Sequence, residues 1–211
     1  MRITVFGATG GVGRELVRQA VAAGHEVTAV VRDPARLPAP PDGVNVRTVA
    51  RLEDPEALRA VVAGRDAVLS GLGSHGRRAD GVAERLTRSV LRAMEAEGTR
   101  RLVVVSAAPL GPRPAGDPLV DRLVRRAVGA VLKEVYADLR GMEAALAEST
   151  VDWTSVRPPR LTDGPLTGTY RTVVGGTPPH GRTLSRADVA HAMLALVDDP
   201  AATRQGVGVA Y

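Results

Sequence analysis

Gly7, Gly10 and Gly13, in the stretch FGATGGVG, are spaced as the chemistry of anion binding requires. In a turn that joins a strand to a helix, the first glycine bends the chain sharply and the second lets bare backbone approach phosphate oxygens. The third lets the helix pack close, and the free N–H groups at the helix start face the anion. The spacing is G-x-x-G-x-x-G, a variant of G-x-G-x-x-G, and a turn of this kind can also be purely structural. A second pair sits further on. Arg32, with Arg36 one helical turn later, stands where a ribose would lie. An arginine there favours a 2′-phosphate and so NADP(H), whereas an acidic residue accepts from the free 2′-hydroxyl of NAD(H). Asp33, beside Arg32, keeps the NAD(H) alternative open.

The elements around these residues have the required order. RITVF, before the glycines, reads as a strand, and RELVRQAVAAG after them has helical apolar spacing and ends at Gly24. EVTAVV then reads as a buried parallel strand, which completes a β-α-β unit. VNVRTV reads as a strand, followed by a helix with Asp54 as N-cap and Pro55 at its first position. DAVLSGLG reads as a strand running into glycines, ADGVAERLTRSVLRAMEAEG as an amphipathic helix closed by Gly98, and RLVVVSAA as the next strand. Further along come a helix from about Lys133, the strand VDWTSVR ending in Pro158–Pro159, and a helix with Ser185 as N-cap and Asp188 at N3. This alternation predicts an α/β fold, a doubly wound parallel sheet with helices on both faces. Ligands of such sheets gather at the carboxyl ends of the strands, here Gly7 to Val12, Arg32 to Arg36, Gly71 to Ser74 and Ser106 to Leu110. The whole chain, 1–211, reads as one domain, with 107–132 and 158–184 as loops and a lid on the substrate side.

Composition narrows the chemistry. The chain has no cysteine, so it offers neither a disulfide framework nor a thiolate nucleophile. Its four histidines, at 25, 75, 180 and 191, lack metal-ligand spacing, and no metal is expected. The net charge of +5 comes from arginines dispersed among acids, Lys133 being the sole lysine. Aromatics are 2% of residues, which leaves almost no platforms for stacking bases and argues against nucleic acid as a partner. No apolar run approaches the ~20 residues needed to cross a bilayer, and no signal peptide precedes the first strand. The expectation is a cytoplasmic monomer or homodimer acting on a small molecule, without a membrane partner.

FGATGGVG, VVRDPARLP, LGS, VVVSAAPL, RPPRLTDGPLTGTY and SRADVAHAML together resemble the atypical short-chain dehydrogenase/reductases of the NAD(P)H-binding, NmrA-like kind. Within them the sequence is most similar to the branch of biliverdin-IXβ and flavin reductases. The resemblance runs nearly end to end and implies a Rossmann fold, NADPH as cofactor and reduction of flavins or other planar conjugated acceptors. It assigns the diphosphate to Gly7, Thr9, Gly10, Gly11 and Val12, and the 2′-phosphate to Arg32 and Arg36. Leu72, Gly73 and Ser74 would line the cofactor, Ser106 would lie near the nicotinamide, and Pro159, Arg160 and Leu161 beside the nicotinamide ribose or the substrate, with Leu110 also on the substrate side. Two positions depart from the pattern. Ala50 and Arg51 stand where the family often has Gly-Asp against the adenine, and Arg160 replaces a histidine, a cation suited to an anionic acceptor.

Classical members of the superfamily use Tyr-x-x-x-Lys with a serine. The nearest set here is Lys133, Tyr136 and Arg140, one turn apart on one helix face, with Ser106 as the serine. Arginine acidifies a phenol through its charge but stays ionised and relays no proton. Tyr136 reads either as a catalytic acid or as a packed helix residue, and Ser106 either as a site residue or as a strand-end serine bonded to local backbone. Three function classes follow: an NADPH-dependent reductase of a flavin, quinone or similar molecule; a non-catalytic NADP(H) sensor; and a tailoring epimerase, cyclase or dehydratase on the same fold.

Overall fold

The computed structural model describes residues 1–37, 39–73, 81–112, 126 and 128–211. Its centre is an eight-stranded sheet in the order β3-β2-β1-β4-β5-β6-β10-β8. The strands are β1 (Arg2–Phe6), β2 (Glu26–Val31), β3 (Asn45–Thr48), β4 (Ala67–Ser70), β5 (Arg101–Val105), β6 (Asp152–Arg157), β8 (Arg171–Val174) and β10 (Gln205–Ala210). All neighbours pair in parallel except β8, which runs antiparallel to β10 at the edge. The strand order reverses between β1 and β4, and a crevice at the carboxyl ends of those two strands is where such sheets receive ligands.

Alternation along β1 sends Ile3 and Val5 into one apolar cluster and Phe6 into the other, so the sheet is buried on both faces. Helices α1 (Gly11–Ala22) and α5 (Arg186–Ala195) cover the first face through Leu16, Val17, Val189 and Met193. Helices α2 (Pro55–Val62), α3 (Val82–Glu97) and α4 (Lys133–Glu148) cover the second through Leu58, Val90, Met94 and Met142. The helix ends follow the local chemistry of the sequence. The Asp54 carboxylate accepts from Glu56 N–H, Ser185 Oγ accepts from Asp188 N–H, and Gly98 closes α3 in the left-handed region. The start of α3 is capped from outside: the buried Asp138 of α4 accepts from the N–H groups of Ala83 and Glu84, both at 2.9 Å.

The segment expected as substrate-side loops, 158–184, contains more pairing than its sequence suggests. Strands β7 (Arg160–Thr162) and β9 (Thr183–Ser185) form a two-stranded parallel sheet, while β8 extends the main sheet. The segment 107–132 is described only in part. Among the described residues no helix is long and apolar enough to cross a membrane.

Candidate functional site

The glycine turn lies at the reversal of strand order. Gly7 adopts φ +72°, and a Cβ there would stand 2.7 Å from the carbonyl carbon of Gly71, just past β4. A Cβ on Gly13 would collide with the Gly7 carbonyl, so the third glycine lets the helix start fold back on its own turn. Gly10 differs: among the described residues a Cβ there would meet only the Gly7 oxygen, at 3.3 Å. It caps α1 with extended backbone and no side-chain bond, and the first turn of α1 carries no acid. The result is a cradle of bare backbone at a helix N-terminus, whose floor two glycines must keep clear and whose mouth a side chain at position 10 would fill. A diphosphate fits it. Thr9 is half-buried beside the turn, Gly11 is exposed, and Val12 is buried into the core below.

At the end of β2, Arg32 and Arg36 are exposed, and neither side chain makes a hydrogen bond or ion pair among the described residues. The Asp33 carboxylate is engaged: it accepts from Ala35 N–H at 3.0 Å and caps the turn Pro34–Arg36. Sequence reasoning missed Arg14, in the first turns of α1, whose Nη2 donates to the Arg36 carbonyl at 3.3 Å. That contact brings a third cation to the same edge. Ala50 and Arg51 follow β3 and are exposed.

Past β4, Leu72 packs partly against the core, its N–H donating to Ser70 Oγ at 3.3 Å, and a Cβ on Gly73 would meet nothing among the described residues within 4 Å. Ser74 lies outside the described residues. Past β5, Ser106 is 8% exposed, and its hydroxyl donates to Glu143 Oε1 of α4 at 2.8 Å. Ser155 donates to the same oxygen at 2.7 Å, and Arg157 holds both carboxylate oxygens, Nε to Oε1 at 2.9 Å and Nη2 to Oε2 at 2.8 Å. Burial pushes the Glu143 carboxyl up, but Arg157 and the serines outweigh that and hold it below its usual range. The group is therefore ionised at neutral pH. Neither Glu143 nor Arg157 was singled out from the sequence. The available signal was an acid beside Met142 on the apolar side of a helix, two turns after Tyr136.

The ends of β5 and β6 are tied together by Ala108 N–H, which donates to the Pro158 carbonyl at 2.8 Å. This brings Leu110, half-buried, to the same edge as Pro159, Arg160 and Leu161; Arg160 is exposed at the start of β7. The PLTGTY stretch that follows is fixed by the SRADVAH stretch. Asp188, fully buried, accepts from Thr167 N–H at 2.9 Å, Gly168 N–H at 2.8 Å and the Tyr211 hydroxyl at 2.5 Å. The Tyr170 hydroxyl meets His191 Nδ1 at 2.7 Å. Burial and the charge of Asp188 push the Tyr170 phenol up to about 12, which leaves it neutral.

Tyr136 is buried on α4, whereas Lys133 and Arg140 are exposed. No hydrogen bond joins its hydroxyl to another described residue, and burial pushes the phenol above its ordinary value. Burial is the cause of that rise, and Lys133 and Arg140, three residues before and four residues after it on α4, do not offset it.

A family model described as NAD(P)H-binding matches residues 7–200. A 3-diazoavenalumate denitrifying reductase from a Streptomyces species is 36% identical over 132 residues, which cover 57% of this chain and 42% of the relative. The matched stretch is thus less than half the length of that relative. Among solved structures, a short-chain dehydrogenase/reductase from Veillonella parvula in complex with NADP superposes with a TM-score of 0.80 at 20% identity, covering 100% of this chain and 94% of that one. ChuY, an anaerobillin reductase from Escherichia coli O157:H7, superposes with a TM-score of 0.79 at 24% identity, covering 100% of this chain and 97% of that one.

Proposed function

This chain belongs to the NAD(P)H-binding family, and from that premise we propose that it is an NADPH-dependent reductase that passes hydride to a flavin, quinone or similar conjugated small molecule. The observation that carries the reading is the juxtaposition of a glycine cradle with no side-chain cap and two arginines that have no partner among the described residues. Bound NADPH would supply the hydride. The backbone from Gly7 to Val12 would hold its diphosphate, and Arg32 and Arg36 would hold its 2′-phosphate. Asp33, occupied in its cap, is a poorer ribose partner, which favours NADPH over NADH.

Ser106 would position the reacting end. Its proton is committed to the Glu143 carboxylate, so its oxygen presents lone pairs and accepts from an N–H or O–H donor in the site. Arg160 offers a cation at the mouth of the acceptor side, which suits acceptors that carry a carboxylate or phosphate. The reductase names of two similar proteins support reductive chemistry here. Steady-state oxidation of NADPH with a panel of flavins and quinones tests the proposal. Turnover with at least one class at micromolar acceptor is the expected result; tight NADPH binding without turnover of any acceptor would instead indicate a sensor.

A further inference from the structure

We propose that Arg186 is a diphosphate-binding residue of this chain, held in waiting by Asp163; the inference rests on the reading that the glycine turn receives a dinucleotide. Arg186 is the first residue of α5, and its side chain lies across the start of α1. A Cβ on Gly11 would collide with its Cδ and stand 2.9 Å from its Nε. Its Nη1 pairs with Asp163 Oδ1 at 2.5 Å, yet Asp163 itself is 89% exposed.

The placement is held from both sides. Ser185, just before it, is fully buried and caps α5. Ala187, just after it, accepts through its carbonyl from Gln19 Nε2 of α1 at 2.8 Å, which ties the two helices together. Arg186 is therefore kept beside the N-terminus of α1, where the helix dipole disfavours a cation and favours an anion. No acid in the first turn of α1 relieves this. Its one partner among the described residues, Asp163, is a solvated carboxylate whose attraction water screens. A diphosphate in the cradle resolves the conflict: it accepts from the N–H groups of α1 on one side and from the guanidinium on the other, a geometry arginine is shaped to provide. On binding, the arginine exchanges Asp163 for the phosphate.

Calorimetry of the full chain with NADPH, NADH and 2′-AMP, in the wild type and in Arg186→Gln and Asp163→Asn, tests this. Arg186→Gln is expected to weaken both dinucleotides by a similar factor, about tenfold or more, the scale of one charge-assisted hydrogen bond. Asp163→Asn removes the competitor and is expected to tighten both by about two- to threefold, the scale of an exposed ion pair. Neither change should alter 2′-AMP, which has no diphosphate. Wild-type affinities in Arg186→Gln, an equal loss for 2′-AMP, or weaker dinucleotide binding in Asp163→Asn would each overturn the inference while leaving the cofactor reading intact. A wild type that binds neither dinucleotide would overturn the cofactor reading, and this inference with it.

Discussion

The Ser106 hydroxyl donates to Glu143 Oε1 at 2.8 Å, and that same oxygen accepts from Arg157 Nε at 2.9 Å. A serine at the carboxyl end of β5 is thereby tied through one carboxylate to the last residue of β6. The contact couples the orientation of Ser106 to a half-hidden ion pair, in which the two side chains keep only 14% and 15% of their exposure. Anything that disturbs the pair changes both stability and the direction in which Ser106 presents its lone pairs.

Glu143→Gln should therefore be strongly destabilising. It leaves the Arg157 guanidinium largely buried without a counter-charge, a change that typically costs about 3–5 kcal/mol. Urea unfolding at pH 7 measures it. The pH dependence of the wild type has a defined sign: the Glu143 carboxyl is held below its ordinary value, so its contribution is complete above the unfolded pKa near ~4.3. It is lost as pH falls through the lower folded value. Glu143→Gln should accordingly flatten the stability profile on the acid side of pH 4.5; an unchanged acid limb would show that the pair contributes nothing.

The glycine turn separates a binding role from a packing role. Gly10→Val should abolish dinucleotide binding while the melting temperature stays near wild type, because the added side chain meets little of the described protein and, on the proposed reading, takes the room of the phosphates. Gly13→Ala should lower stability as well, since its Cβ collides with the Gly7 carbonyl and overpacking of this kind costs about 1–3 kcal/mol. Calorimetry and thermal melts on the two variants check both halves. Equal melting temperatures for the two would contradict the division.

The β-α-β unit and most helix ends were legible in the sequence because single residues determine them. Gly24 and Gly98 adopt positive φ where the helices stop, and Asp54 and Ser185 cap where the helices start. The C-terminal strand β10 was not legible. Its glycines break any periodicity, and their reason is tertiary: a side chain at Gly206 would collide with the Arg157 guanidinium, and one at Gly208 with the Gly176 carbonyl. Strands β7 and β9 are three residues each and pair across an intervening loop, too short for a pattern to register. At the site, glycines and arginines announced themselves by spacing along the chain. Glu143 and Arg157 did not, because a buried carboxylate differs from a solvated one only by a partner on another element. The PLTGTY and SRADVAH stretches were visible as a resemblance, while the Asp188 bonds to Thr167, Gly168 and Tyr211 give the physical reason they occur together.

Cofactor choice tests the proposed role of Arg32 and Arg36. A 2′-phosphate between two guanidinium groups that have no partner among the described residues gains charge-assisted hydrogen bonds worth about 1.5–3 kcal/mol each. NADPH should then bind at least about tenfold tighter than NADH. Arg32→Ala should weaken NADPH and leave NADH almost unchanged. Arg14→Ala should produce a smaller loss of the same kind, because its side chain reaches the Arg36 carbonyl at this edge. Equal wild-type affinities would return the ribose to Asp33.

The chemistry itself is tested at Tyr136. Burial holds its phenol above the ordinary value, which makes the group a poorer proton donor to a carbonyl oxygen. A flavin or quinone has no need of such a donor: the anion formed on accepting hydride is delocalised and takes its proton from water. Tyr136→Phe should therefore keep most of the reductase activity. Ser106→Ala should lower it only modestly, through looser positioning, and should release one of the hydrogen bonds on Glu143. A positioned general acid contributes ~10²–10⁴-fold to the rate, which sets the scale for both measurements. A loss of about a hundredfold or more in kcat for Tyr136→Phe, at unchanged NADPH affinity, would reach that scale. It would make Tyr136 the acid for a carbonyl substrate and end the case for a flavin or quinone acceptor.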